Sequence, residues 1–350
     1  MKKYLIPEKG NFYKAAMHIH TNISDGKLSP EEMKKVYISK GYSIVAFTDH
    51  EVFVPHNDLT DENFLSINSV EISVSNSYIG DIGGWEYLPT YHMNLYAKKK
   101  DIDYTSVCTK DSIYVKHSMN YMTEKMLANK FVKEYRPECI NELTKAAIKE
   151  GFLVCYNHPV GGLQNYKDYS ELKNLWAVEW FNAGATSGGT DETIQPVEDL
   201  LRLKERVFPI AGDDAHDAKL VGKCFTMVKA EKLHYETVMQ ALEDGAFYSS
   251  TGPEIYEIYI EDGFLHIKCS DVKKIVLKTE RRVSFTNEAE EGKTVNEAIF
   301  DLRKYEQNSN IIEGNYEKAY VRLTLTDDKG NQAQTVPYFL TDIADSIKGA

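Results

Sequence analysis

Four short segments, spread from residue 18 to residue 216, each end a hydrophobic run with side chains that ligate metals: MHIHTNISDG, AFTDHE, CYNHPVGG and AGDDAH. A short apolar run reads as a buried strand, and a histidine or aspartate at its end is costly to bury without a partner. Several such ends in one chain require strands that converge, so that their polar tips share a cation. His18 and His20 stand two apart, so on a strand they point to the same face and can hold one ion together. Asp25 follows within the next turn. His50 closes IVAFTDH, His158 closes FLVCYNH, and Asp214 with His216 repeats the two-residue spacing after FPIAGD. Glu71, at the end of FLSINSVE, and His92, in YHMNLYA, fit the same rule.

These are six histidines, two aspartates and one glutamate, nine donors in all. They exceed what one or two ions with open positions need and suit three cations, with a carboxylate such as Glu71 bridging two. A multinuclear hydrolytic centre follows. The remaining histidines, His56, His117, His234 and His266, sit in no such pattern and are assigned no function. An HxH pair alone is a weak signal, and the joint pattern carries the reading. Glu71 also fits a strand-end carboxylate capping a helix, and His92 an edge-strand residue.

Short apolar runs alternate with amphipathic segments as βα units require. Strands are expected at Ala15–His18, Ile44–Thr48, Phe64–Glu71, His92–Ala97, Phe152–Asn157, Ala177–Phe181 and Phe208–Ala211. Ser29-Pro30-Glu31-Glu32 predicts a helix to about Lys40, with an N-cap serine, proline at N1, glutamate at N3, and Gly41 as the stop. Further helices are expected over Cys139–Glu150 and Thr193–Arg206. Parallel barrels place catalytic residues at C-terminal strand ends, where these candidate ligands fall. From Lys98 to Pro137 the period degrades into a tyrosine-rich stretch, read as a lid or pocket wall, whose Tyr104, Tyr114 and Tyr121 are candidate substrate contacts or packing residues.

The ordered set HxHTxxSDG, TDH about thirty residues on, a glutamate after the third strand, NHP and GDDAH resembles the polymerase-and-histidinol-phosphatase (PHP) family of metal-dependent hydrolases. The likeness covers roughly residues 12 to 252. It implies a distorted seven-stranded β/α barrel. It also implies that His18, His20, Glu71 and Asp214 hold one metal, that Glu71, His92 and His158 hold a second, and that Asp25, His50 and His216 hold a third. Asp25 stands where some members carry histidine, which keeps a hard oxygen donor, and Asp213 stands where a serine is common.

At 350 residues the chain exceeds what one hydrophobic core usually organises, so two domains are expected, 1–252 and 253–350. After GAFYSSTGP the sequence turns to period-two alternation without a long helix, with turns at Asp262-Gly263 and Asp328-Lys329-Gly330-Asn331, which reads as a small all-β, sandwich-like domain. That joint and the YVRLTLTDDKGNQ hairpin are similar to the carbaryl-hydrolase-like branch of the same family. A net charge of −12 argues against a nucleic-acid or anionic-membrane binder, since phosphate backbones reward clustered Lys and Arg. Five scattered cysteines without CxxC spacing read as free thiols. With no apolar leader or membrane span in view, a cytoplasmic protein is expected.

The chemistry these residues predict is hydrolysis of a small phosphate ester at two or three Zn, Mn or Fe ions, with oligomeric state left open. Asp49, beside His50, is a candidate catalytic residue that would orient a ligand imidazole, or only a turn or helix cap. Asn157, Glu179, Asn182 and Lys223 are candidate substrate contacts; Glu179 and Asn182 fit a buried network equally well, and Lys223 a solvated surface lysine. No arginine falls near the ligand motifs: Arg136, Arg202, Arg206, Arg281, Arg282, Arg303 and Arg322 all lie elsewhere. Because arginine is the usual phosphate clamp, an amide, carbamate or carboxylic ester substrate is the alternative. A non-catalytic binding module acting through the β-domain is a third, less supported reading, because every ligand position carries a competent residue.

Overall fold

Apolar runs become strands and capped amphipathic stretches become helices, each burying its hydrophobic side against the other. The computed structural model describes residues 2–76, 88–115, 117–304 and 319–348. Strand β1 (Lys3–Tyr4) is followed by β2 (Asn11–Ala16), α1 (Pro30–Ser39), β3 (Ile44–Phe47), β4 (Leu65–Ser75) and β5 (Thr90–Ala97). Then come α2 (Glu124–Leu127), α3 (Pro137–Lys149), β6 (Phe152–Asn157), α4 (Tyr166–Tyr169), β7 (Ala177–Asn182), α5 (Ala183–Ser187), α6 (Gln195–Arg202) and β8 (Phe208–Gly212). Strand β9 (Phe225–Ala230), α7 (Tyr235–Glu243) and β10 (Phe247–Ser250) complete the first part. The C-terminal part holds β11 (Ile255–Glu261), β12 (Phe264–Val272), β13 (Lys274–Thr279), β14 (Ser284–Glu288), β15 (Val295–Asp301), β16 (Tyr320–Thr326), β17 (Gln332–Thr335), β18 (Tyr338–Phe339) and α8 (Leu340–Lys348).

Helix α1 starts as the sequence dictates: the Ser29 hydroxyl accepts from the Glu32 N–H at 3.3 Å, and the Glu32 carboxylate accepts from the Ser29 N–H at 2.9 Å. Helix α6 is shorter than expected, Gln195–Arg202 rather than Thr193–Arg206, and Lys204 adopts a φ of 76° just beyond it. The C-terminal part, expected without a long helix, ends in α8, whose Leu340, Ile343 and Ile347 are buried. The Asp262-Gly263 turn joins β11 to β12 with φ values of 51° and 81°, the two positive angles a type I′ hairpin requires.

One ladder runs β14-β13-β16-β17-β10-β9-β2-β3-β4-β5-β6-β7-β8, and a second sheet runs β1-β11-β12-β15. Strands β2 to β8 thus lie side by side in sequence order, but they are not a strict βα repeat. Strand β5 is antiparallel to both β4 and β6, while the β2–β3, β3–β4, β6–β7 and β7–β8 pairs are parallel. The ladder is also open, because β8 is its last strand. Beyond the strand ends the gap is spanned at Ile19 and Ala215, which form a parallel bridge. There the Asp214 N–H donates to the His18 carbonyl at 2.9 Å, and the His20 N–H donates to the Ala215 carbonyl at 3.0 Å.

Strand β4 shows how the fold sorts its side chains. Val70, Ile72 and Val74 join an apolar layer with Leu143 of α3 and Leu200 of α6, while Ser69, Glu71 and Ser73 alternate onto the opposite face. A second apolar cluster extends from Ile44 and Ile67 through Phe247 to Ile258, Leu265 and Leu323 in the C-terminal strands. All five cysteines are unpaired and buried. None of the described helices is long and apolar enough to cross a membrane.

Arg322 on β16 is fully buried and ties the C-terminal strands to α6: its Nε donates to Glu198 at 2.9 Å, its Nη2 also meets that carboxylate, and Nη1 donates to Gln334 at 2.6 Å. The Tyr320 hydroxyl donates to Glu198 at 2.8 Å. Truncation would leave the buried glutamate charged, with the Tyr320 hydroxyl and, at 3.4 Å, the half-exposed Arg202 guanidinium left to face it. Arg322→Ala is therefore expected to lose about 3–5 kcal/mol of stability, read from chemical denaturation midpoints; an unchanged midpoint would contradict that role.

Candidate metal centre

The strand registers assemble the site. Ser73 of β4 lies opposite His92 of β5, which lies opposite Asn157 of β6, so these residues and Glu71 share one face. An antiparallel strand must present its N-terminal end where its parallel neighbours present their C-terminal ends, which is why His92 begins its strand while His158 follows one. His92 is central rather than an edge residue, and Glu71 sits inside β4 rather than at its end, because β4 continues to Ser75. Beyond β3, His50 makes a parallel bridge to Glu71. Two candidate ligands hold left-handed backbone, His158 with φ 23° and Asp214 with φ 48°; such strain is characteristic of functional sites.

All nine candidate ligands converge. His18 Nε2 lies 3.2 Å from His20 Nε2, 3.3 Å from Glu71 Oε1 and 3.4 Å from Asp214 Oδ1. His20 Nε2 is 3.2 Å from Glu71 Oε2 and 3.1 Å from Asp214 Oδ1. Glu71 Oε1 is 3.3 Å from His92 Nδ1 and 3.4 Å from His158 Nε2, and its Oε2 is 3.1 Å from His50 Nδ1. Asp25 stands 3.2 Å from His216 Nε2, 3.5 Å from His20 Nδ1 and 3.7 Å from His50 Nε2. Donors bonded to a common ion at about 2.1 Å lie about 3.4 Å apart in a tetrahedral site, a spacing that most of these separations match.

The donor atoms form overlapping groups: His18, His20 and Asp214; Glu71, His92 and His158; His20, Asp25, His50 and His216; and His18, His158 and Glu179. The first three parallel the three ligand sets that the sequence resemblance implies, with Glu71 within reach of two. Several of these atoms are buried without a hydrogen bond: His50 Nδ1, Glu71 Oε2, both ring nitrogens of His92, and Asp214 Oδ1. Orphaned donors and acceptors in one small volume are costly unless a cation completes them. The residues therefore fit divalent metal ions.

Their charges are mutually dependent. Burial opposes charge on His20, but the adjacent Asp214 and Glu71 carboxylates outweigh it and push the imidazole up to about 10. Burial is likewise outweighed at His158 by Glu71 and Asp214, which push it up to about 9. At His50 burial wins and pushes the ring down to about 3. Glu71 and Asp214, despite their own burial, are held well below the usual carboxylate range by the surrounding imidazoles.

Around the ligands sit residues that aim them. Glu179, fully buried, accepts from His18 Nδ1 at 2.8 Å, from the His158 N–H at 3.0 Å and from Asn182 Nδ2 at 2.9 Å. Asn157 Nδ2 donates to Glu71 Oε1 at 2.7 Å. Among the described residues Asp49 hydrogen-bonds no imidazole; it accepts from the Thr21 N–H and hydroxyl, both at 2.7 Å, and from the Ser24 hydroxyl at 2.8 Å, fixing the loop between His20 and Asp25. Gly212 is required by close approach, since a Cβ there would lie 2.0 Å from Glu179 Oε1. Lys223 is exposed and lines a neighbouring cleft rather than the ligand cavity, and its backbone N–H donates to Asp213 at 2.9 Å.

The centre opens into a cavity of about 600 Å³ lined by ligands and by Thr90, Tyr114, Leu163 and the glycines 161, 162, 184 and 188. The long insertion supplies one wall. The Tyr114 ring lies 4.6 Å from that of His50 and 5.0 Å from that of His92, whereas Tyr104 bonds Asn129 and Tyr121 is exposed. The sequence marks Tyr114 only as one tyrosine among several; its position is set by the path of an irregular segment. Among the described residues, no lysine or arginine lines this cavity.

No protein-family model matches the sequence, and no curated protein does. Solved structures do. One is a two-domain protein containing a predicted PHP-like metal-dependent phosphoesterase from Bacteroides vulgatus, 14% identical over 96% of this chain and 98% of that one, at a TM-score of 0.43. A lesion-specific endonuclease from Pyrococcus furiosus is 13% identical over 67% of this chain and 56% of that one, at 0.40. An amidohydrolase from Chromobacterium violaceum is 13% identical over 58% of this chain and 87% of that one, at 0.34. At such identities and scores, the chemistry has to be read from the side chains themselves.

A cation accepts His20 and His158 only as neutral rings. Because neighbouring carboxylates push these imidazoles up to about 10 and about 9, binding must expel protons, and affinity falls as pH is lowered from about 9 to about 6. Calorimetric titration with Zn²⁺ or Mn²⁺ in buffers of differing ionisation enthalpy should show net proton release at neutral pH; zero release would contradict the charge pairing.

Proposed function

We propose that this chain is a PHP-type metal-dependent hydrolase, with residues 1–252 as the catalytic part, and that it cleaves a small phosphate ester. The observation that carries the reading is the Glu71 carboxylate, buried among five imidazoles, with His50 Nδ1, both His92 ring nitrogens, Glu71 Oε2 and Asp214 Oδ1 left without hydrogen bonds in the same small volume. His18, His20, Glu71 and Asp214 would hold one ion, Glu71, His92 and His158 a second, and Asp25, His50 and His216 a third, the mixed donors suiting Zn, Mn or Fe. Bound there, divalent ions supply Lewis-acid activation of water and neutralise developing charge on phosphoryl oxygens.

The chain's own residues do the rest. Glu179 keeps His18 oriented through Nδ1 and leaves its Nε2 facing the other donors, as a carboxylate behind a ligand imidazole does. Asn157 holds Glu71 against rotation. Burial, with the Glu71 carboxylate nearby, pushes the Tyr114 phenol up, so it stays a neutral donor beside His50 and His92 and is placed to contact substrate. The cavity volume of about 600 Å³ suits a small molecule. The net charge of −12 speaks against nucleic acid as substrate.

One observation favours a second reading, an amide, carbamate or carboxylic ester substrate: no cationic side chain among the described residues lines the metal cavity, although phosphate sites ordinarily carry one. Metal-reconstituted protein is tested on a phosphomonoester panel beside aryl carbamates and carboxylic esters, with chelated protein as control. Chelator-sensitive phosphate release is the expected result, and activity confined to the carbonyl substrates would replace the phosphoesterase reading. Asp214→Ala is expected to lose turnover by on the order of 10³-fold or more and to bind fewer metal equivalents. Full activity in that variant would sink the site assignment. Tyr114→Phe should lower kcat by about 10²-fold with metal content unchanged, if the phenol donates in the reaction.

A further inference from the structure

Beside the metal cavity lies a cleft of about 690 Å³ whose lining includes Trp180, Phe181, Ile194, Lys223 and Lys329. The two spaces share Leu220, and helix α5 with its flanks divides them. Ala183, Thr186 and Ser187 line the cleft, and Gly184, Ala185 and Gly188 line the cavity. The spaces are thus separated by a single short helix, about 10 Å across with its side chains. Lys329 comes from the turn between β16 and β17, where the Asp327 carboxylate accepts from the Lys329 N–H at 2.9 Å and the Asn331 N–H at 2.8 Å. Lys223 comes from the loop before β9, anchored by Asp213. Among the described residues neither ammonium is ion-paired. The acidic residue in the lining, Glu192, directs its carboxylate to the N–H groups of Val160 and Gly161, at 3.2 and 2.6 Å.

We propose that this cleft is the specificity half of the active site, binding an apolar, aromatic portion of the substrate that ends in an anionic group remote from the scissile bond. Trp180 and Phe181 supply the apolar wall and Lys223 and Lys329 the anion contact. The two lysines flank the cleft from opposite parts of the chain, so the C-terminal domain contributes directly to recognition. The cations that the metal cavity lacks stand one helix away, where they would select substrates without competing with metal ions for the reacting group. As a substrate subsite, the assignment rests on the hydrolase reading above.

Two measurements separate them. Calorimetry with 2-naphthoate and with 2-naphthylphosphonate on the metal-free protein reads the cleft through the difference between the unaltered chain and the cleft variants. Both should bind, and the K223A/K329A double variant should weaken them at least about fivefold, as two exposed ion pairs would give. Thr186→Trp, which fills the cleft, should abolish binding. Retention of the carboxylate probe but not the phosphonate, or the reverse, identifies the anion selected. The second measurement compares metal-reconstituted turnover of phenyl phosphate with that of 6-carboxy-2-naphthyl phosphate. The double variant should lose at least about fivefold in kcat/KM on the carboxylated ester and change by less than about twofold on phenyl phosphate. No probe binding, or equal binding by wild type and double variant, overturns the cleft assignment. Probe binding intact with no turnover of any phosphate ester overturns the phosphoesterase reading instead.

Discussion

The Glu71 carboxylate is the constraint on which the rest of the site depends. It is 1% exposed, and its two oxygens lie within 3.5 Å of nitrogens on His18, His20, His50, His92 and His158. A carboxylate buried this deeply is tolerated only if cationic or donor groups surround it, and only strands brought side by side can deliver five imidazoles to it. The convergence of β2 through β6 is thus a requirement of charge as much as of topology. Asn157 takes up one oxygen of the carboxylate by hydrogen bond, and the other, unsatisfied by the protein, points among the rings.

The departure of the sheet from a regular βα repeat serves the same purpose. Parallel strands alone would bring ligands only from loops at their C-terminal ends. Reversing β5 lets His92 enter at the start of a strand, flanked on one side by β4 with Glu71 and on the other by β6 with Asn157. Past the end of β8, the chain turns through Asp214 in a left-handed conformation and is pinned to the extension of β2 by backbone bonds to His18 and His20, one on each side of Ile19. Local strain at Asp214 is thereby held by a structure that over-determines it.

Much of this arrangement was legible because its signal is local. The HxH spacing, the apolar runs ending in TDH and NH, and the capping box at Ser29 each arise within a few residues and survive into the structure with little shift. Glu71 and His92 were harder: their weight depends on an antiparallel β4–β5 pairing, which no periodicity announces. The same holds for Asp49, whose partners Thr21 and Ser24 lie more than twenty residues away, and for Arg322, whose buried pairing with Glu198 spans much of the chain. Helix α8 went unread because it follows directly on a strand, with Leu340 succeeding Phe339 without an intervening loop. Charge placement was the least legible feature, since a lysine such as Lys329 gains meaning only from the cleft it borders.

That placement has a physical logic. A cavity whose donor groups already hold several carboxylates among histidines gains its attraction for anions from bound cations, and a lysine beside the ligands would repel those cations and lower their affinity. On the reading proposed above, separating the functions would resolve the conflict: carboxylates and imidazoles would concentrate cations at the reacting centre, while the ammonium groups line the cleft beyond α5. The two-part architecture follows from the same division. The strand-end cluster can be built by one sheet alone, whereas a lysine poised on the far rim requires a second body of chain, and the β16–β17 turn, continuous with β10 through paired strands, supplies it.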